Sequence, residues 1–345
     1  MAQPPSPPPP KLSALQLVQA VSSLPLIQAL HVAAKLELPD RVKARPRDAE
    51  GLGQELGIHP QSLGRLLELL AALGVFTRSP EGVFGPTMAS SMLEKHRAGT
   101  AFDMAAVVGA PFHWNAWGAL EHAVRTGESA FISVHGLNLY DYLDAHPAEG
   151  EVFFRAHSQA AKVLDQALLK IYDFSAFTIV LDIGGGDGTF VAQLLASRPH
   201  LRAVLFDLPQ VLQSAAPLRD NPALLARCEL TPGNFFESIP PGADLYVLRG
   251  VAMDWDDVHL LKLLRNCEAA LVQPGAKLVM ALTLLGPSEQ TRMLDLTLLV
   301  LSPSGRLRTE AELRELHRQA GLEVIRVVRA PFGDGCALES RRAPL

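Results

Sequence analysis

The sequence predicts an α/β fold preceded by an all-helical region with a winged helix-turn-helix. Three observations predict it. The 345 residues, 48% of them hydrophobic, suffice for roughly two domains, each with its own core. The first half repeats its apolar residues at helical spacing. After residue 178, short apolar and β-branched runs alternate with helical stretches, the pattern of a parallel sheet with helices on both faces, that is, a Rossmann-like sheet.

Taken in order, the Pro-rich stretch at residues 1–10 cannot form helix, because proline lacks the backbone donor, and it reads as a disordered tail. From Ser13 to Leu36 apolar residues recur at helical spacing with few charges, which predicts one helix buried against a partner chain. Between Pro46 and Thr87 the order is helix, turn at Gly57–Pro60, second helix, then short strands near Val75–Thr77 and Gly82–Phe84. That order is a winged helix. Its second helix, SLGRLLELLAAL, carries only Arg65 and Glu68 among its charged groups, too few for phosphate and base contacts, so a dimerisation or lid module is expected and not a DNA reader. Helices continue through Leu169, giving domains at 11–168 and 169–345. The strands are expected at 179–183, 203–208, 228–235, 244–250 and 277–282.

Composition narrows the chemistry. With 31 basic and 36 acidic residues the net charge is -5, which provides no footprint for nucleic acid or an anionic membrane. The three scattered cysteines draw neither a disulfide framework nor a zinc site, and no metal-ligand spacing appears elsewhere. The expected location is cytoplasmic.

The most informative stretch is Leu181-Asp182-Ile183-Gly184-Gly185-Gly186-Asp187-Gly188-Thr189, a strand entering a Gly-rich turn and then a helix. Its spacing is GxGxG and not the GxGxxG of a dinucleotide site, and no Lys-Ser or Lys-Thr follows as in a P-loop. Such a turn suits a ligand without a pyrophosphate. The next strand ends at Asp207, where a carboxylate can accept from a ribose diol.

IVLDIGGGDGTF, AVLFDLPQV, PGNFFESIP, MDWDD, LLRNCEAALVQPGAKLVM and GRLRTEAELRELHRQAGL, in this order between Leu15 and Glu339, resemble the caffeate and acetylserotonin type of S-adenosylmethionine-dependent O-methyltransferases. The resemblance implies a class I methyltransferase sheet and a homodimer joined through the N-terminal helices. It implies S-adenosylmethionine as cofactor, with Asp182, Gly184 and Gly186 at its methionine part and Asp207 and Leu208 at the ribose. Asn234, where the family has Asp, and Phe235 would then meet the adenine, and Arg249 would replace a Lys at the adenosine end.

The catalytic pattern of that family is broken here. Met253 stands where its base His belongs, and Ala281 and Leu307 are read at the places of the two Glu that orient it. His259 is expected to face solvent. Methyl transfer from a sulfonium depends mainly on proximity, but a phenol of pKa about 10 is only about one part in a thousand ionised at pH 7, a deficit of roughly 4 kcal/mol that a base offsets. The expected chemistry is therefore methylation of a small secondary metabolite at O, N or C without the usual His; His157 is read either as a helix histidine hydrogen-bonded to a neighbour or as a substitute base. The alternative is a non-methylating enzyme on the same scaffold, a hydroxylase, decarboxylase or pericyclase. Phe112, Trp117, Tyr140, Phe153, Met293 and Thr297 join Met253, Ala281 and Leu307 as acceptor-pocket residues, a mostly apolar cleft for an aromatic or polyketide-like molecule.

Overall fold

The computed structural model describes residues 13–97, 99–331 and 334–344. The Pro-rich segment 1–10 lies outside them. The described residues divide into two compact units, one taking in 13–125 with 130–160, the other 126–129 with 161–344. The division falls inside the helix Pro147–Ile171.

In the N-terminal unit the stretch from Ser13 to Leu36 is not one helix. It forms Ala14–Val21 and Leu24–Lys35, bent by 46° at the break. Pro25 has no N–H to give Val21, and Ser23 is free to turn its hydroxyl to the Ala20 carbonyl at 2.7 Å, so the helical ladder stops there. The helix-turn-helix is formed by Ala49–Leu56 and Pro60–Ala72, with Gly57 at φ 65° closing the first helix in a conformation that glycine adopts without strain. The wing strands are β1 (Phe76–Arg78) and β2 (Phe84–Pro86), antiparallel. Their core joins Ala29, Ala33, Leu38, Leu52, Leu67, Leu70, Phe76 and Phe84. By contrast Leu15, Leu17, Val18, Val21 and Leu24 are all exposed.

The C-terminal unit is built on β3 (Ile179–Ile183), β4 (Arg202–Asp207), β5 (Cys228–Pro232), β6 (Leu245–Arg249), β7 (Lys277–Thr283), β8 (Leu322–Arg329) and β9 (Gly335–Arg342), in the order β5-β4-β3-β6-β7-β9-β8. The first five are parallel, as their continuous apolar runs predict. The sheet as a whole is mixed, because β9 inserts antiparallel between β7 and β8. Successive residues of each strand face opposite sides. Leu181, Tyr246, Leu248, Leu278 and Met280 pack against the helices Asp257–Ala270 and Glu310–Gln319 on one side. Val180, Leu205, Val247 and Val279 pack against Thr189–Ser197 on the other. The three cysteines are buried thiols without a disulfide. Among the described residues no single helix is long and apolar enough to cross a membrane.

Candidate functional site

The glycine turn joins the carboxyl ends of four neighbouring strands. The Gly184 N–H donates to the Phe206 carbonyl at 2.8 Å, and Gly184 and Gly186 take φ of 64° and 62°, which L side chains avoid. Asp207, at the end of β4, accepts from the Gly186 N–H at 2.8 Å and the Leu208 N–H at 2.7 Å, so one carboxylate holds both the turn and its own strand end. Burial pushes its carboxyl above the usual range, and the two backbone donors oppose this. A Cβ on Gly184 would lie 3.1 Å from a Val251 methyl and 3.4 Å from the Phe235 ring. The turn is thus closed by residues just after β6 and just after β5. A Cβ on Gly186 would meet nothing within 4 Å. This is the open, backbone-lined cradle that a nucleoside with an amino-acid tail requires, and it lies where the strand order reverses about β3. The residues present therefore fit S-adenosylmethionine. Asn234 accepts from the Phe236 N–H at 2.9 Å through its side-chain oxygen, which keeps a second lone pair for an amino group.

Arg249 points beneath this turn. Its guanidinium donates to Asp182 at 3.0 and 3.3 Å and to Asp165, and lies 4.3 Å from the centre of the Phe190 ring. Asp182 is wholly buried and Asp165 nearly so. Burial pushes both carboxyls up, while the guanidinium they share favours their charged forms. Asp165 is absent from the sequence-based set, although an acid on the apolar side of a helix was a readable signal.

The catalytic positions separate by strand register. Met253 and Leu307 line a small cavity of about 20 Å³ together with Leu282 and Thr283. Ala281 does not belong to that group. It pairs with Arg249 across β6 and β7 and packs on the opposite face of the sheet with the Val180 and Val247 core. Leu282, one residue later, occupies the place assigned to Ala281, because neighbouring strand residues point to opposite faces. Leu307 is 2% exposed, and its N–H donates to Asp295 at 2.8 Å. His259 is exposed and bonded to Asp256 at 2.7 Å.

Each remaining acceptor candidate sits as follows. Phe112 is buried in an aromatic cluster, 5.9 Å from Tyr142 and 6.5 Å from Phe131. Trp117 is partly buried near His113, and Tyr140 is exposed. Phe153 is buried and carries the His157 ring stacked at 3.8 Å. His157 Nδ1 donates to the Phe153 carbonyl at 2.9 Å, leaving Nε2 as the lone-pair nitrogen. Desolvation lowers its pKa and the carbonyl opposes this, although the residue keeps open surface. Met293 is exposed, and Thr297 donates to its carbonyl at 2.8 Å. Among the described residues no His, Cys, Asp or Glu group could hold a metal ion.

Comparison with known proteins agrees with this geometry. Residues 117–323 match the O-methyltransferase domain family and residues 18–96 the O-methyltransferase dimerisation domain family. The mitomycin biosynthesis 6-O-methyltransferase of Streptomyces lavendulae is 36% identical over 319 residues, 92% of this chain and 91% of that protein. The crystal structure of the N,N-8-amino-8-demethyl-D-riboflavin dimethyltransferase from Streptomyces davawensis superimposes with a TM-score of 0.85 at 32% identity, covering 96% of this chain and 100% of that one. An O-methyltransferase from neocarzinostatin biosynthesis, solved with S-adenosylmethionine and 2-hydroxy-5-methyl naphthoic acid, has a TM-score of 0.82 at 30% identity, covering 94% of this chain and 98% of that one.

Proposed function

This chain belongs to the O-methyltransferase family, with its dimerisation domain, and from that premise we propose that it methylates an aromatic or polyketide-like metabolite, as a homodimer, without the usual histidine base. It is an S-adenosylmethionine-dependent methyltransferase of small-molecule biosynthesis, and its relatives transfer methyl groups to oxygen or nitrogen. Nothing in them supports the hydroxylase, decarboxylase or pericyclase alternative.

The observation that carries the reading is the pairing of a complete cofactor cradle with an apolar catalytic corner. Gly184, Gly186 and Asp207 are tied together by hydrogen bonds, while Met253, Leu282 and Leu307 share one cavity. S-adenosylmethionine supplies an activated methyl on a sulfonium. Asp207 would hold the ribose, and Asn234 and Phe235 would meet the adenine, with Asp182 and Leu208 at the turn and the strand end. Arg249 serves by neutralising Asp182 from below.

Incubation with methyl-labelled S-adenosylmethionine and an extract of the producing organism should label a small aromatic product, and product formed without label would refute the reading. In calorimetry Asp207→Ala should weaken cofactor binding by about 1–3 kcal/mol, the scale of hydrogen bonds lost from two hydroxyls. Unchanged affinity would place the ribose elsewhere.

The exposed Leu15, Leu17, Val18, Val21 and Leu24 are what a second protomer would cover. Sedimentation should show a dimer at micromolar concentration, and a stable monomer would refute it. Leu17→Glu with Val21→Glu should shift the equilibrium toward monomer.

A further inference from the structure

We propose that Asp254 accepts the acceptor's proton in this enzyme, at the strand end where the family's histidine is replaced by Met253. The proposal rests on the methyl-transfer reading above.

The segment Ala252–Trp255 follows β6 as one tight turn. All four of its carbonyls are held by the stretch 302–308. Arg308 donates to the Ala252 carbonyl at 2.8 Å and the Trp255 carbonyl at 2.6 Å, the Arg306 N–H donates to Met253 at 2.9 Å, and the Ser302 hydroxyl to Asp254 at 3.3 Å. Gly305 makes this approach possible, since a Cβ there would stand 2.7 Å from the Met253 carbonyl. The segment starts at Val251, whose methyl closes on Gly184 of the cofactor turn. A rigid backbone therefore holds Asp254 three residues beyond Val251, the residue that closes on the cofactor turn.

Its carboxyl group, however, has no partner among the described residues. Among the described residues no hydrogen bond and no ion pair engages it, and no neighbouring charge acts on it. The charged groups of the elements packed around it are committed elsewhere. Arg308 and Arg306 pair with Asp257, and Arg306 also with Glu312. Asp295 accepts from the Leu307 N–H, and His259 is bonded to Asp256. A preorganised, partly accessible carboxylate without a partner in a clamped turn serves no packing purpose. Burial also pushes its carboxyl up to about 7, the proton affinity a base needs at neutral pH.

The step balances. A lone pair of the acceptor oxygen forms the bond to the methyl carbon, and the carbon–sulfur bond breaks with its electron pair going to sulfur. The hydroxyl proton passes to an Asp254 carboxylate oxygen and then to water.

The test compares the full-length wild type with Asp254→Asn on a panel of hydroxynaphthoates and matching aminonaphthoates, with labelled S-adenosylmethionine. On the hydroxyl acceptors Asp254→Asn should lose about a hundred- to ten-thousand-fold in kcat, with the acidic limb near pH 7 abolished. The amines, which attack with their own lone pair, should lose far less. Calorimetric affinity for S-adenosylmethionine should stay unchanged, and Asp254→Glu should recover part of the rate. Equal losses on both acceptor classes would overturn the proposal, as would an acidic limb that survives in Asp254→Asn and vanishes in His157→Ala. Turnover of amines alone would overturn it and leave methyl transfer standing. Methylation of no acceptor in the panel or in the extract would overturn both.

Discussion

Arg249→Met should destabilise the C-terminal unit by about 3–5 kcal/mol, the scale for removing one partner of a buried ion pair. The substitution keeps the length and apolar stem of the side chain, so the loss comes from charge and not from a cavity. It leaves Asp182, at 0% exposure, and Asp165, at 4%, as two acids facing each other with no cation between them. Adding Asp165→Asn removes one of the stranded charges and should recover part of the stability, so the two substitutions are non-additive. Denaturant unfolding of the single and double variants measures this. A single-variant loss under about 1 kcal/mol would mean that the pair is hydrated in solution and weighs no more than a surface bridge. Because Asp182 lies directly under the cofactor turn, Arg249→Met should also weaken S-adenosylmethionine binding.

Mild acid should destabilise the protein through two buried imidazoles. His113 and His317 are 6% and 0% exposed, and burial holds both near pKa 4, against about 6.5 when unfolded. His317 donates from Nδ1 to the Leu313 carbonyl at 2.7 Å, and its Nε2 has no partner among the described residues, so a second proton there would lack an acceptor. The unfolded chain takes up protons first as pH falls. The stability these two groups support is complete above pH 6.5 and is lost between 6.5 and about 4, at roughly 3 kcal/mol for each. His113→Gln and His317→Gln should each flatten the slope of unfolding free energy against pH by about one proton in that window. Slopes that match the wild type would refute the assignment.

The particular elements show how far residue patterns reach. The five parallel strands were legible to within a few residues, because a strand buried on both faces needs an unbroken apolar run such as Ile179–Ile183. Gly184, Gly186, Asp207 and Phe235 were legible as a group, since a turn at a strand end leaves glycine little alternative. Ala281 was not, because no local feature distinguishes it from Leu282, and a slip of one residue reverses the face. Strands β8 and β9 carry charges in their alternation, as Leu322–Arg329 shows, and such runs do not announce themselves as parts of a parallel core. The break after Val21 was written in Ser22-Ser23 and Pro25, yet the apolar repeat on either side masked it. Arg249 with Asp165 is separated by 84 positions, and only the folded chain brings them together.

The place of β9 bears on how the protein is made. A ribosome delivers β7 and β8 before the strand that must lie between them, so neither can complete its hydrogen bonding while synthesis runs through residue 335. The seven-strand sheet therefore closes only after residues 335–342 have left the exit tunnel. Until then β7 exposes an open apolar edge with Val279 and Met280, the kind of template that recruits other nascent chains. Heterologous production should profit from slow translation and low temperature. A tag that keeps residues 335–342 from threading into the sheet would be expected to send the product into inclusion bodies.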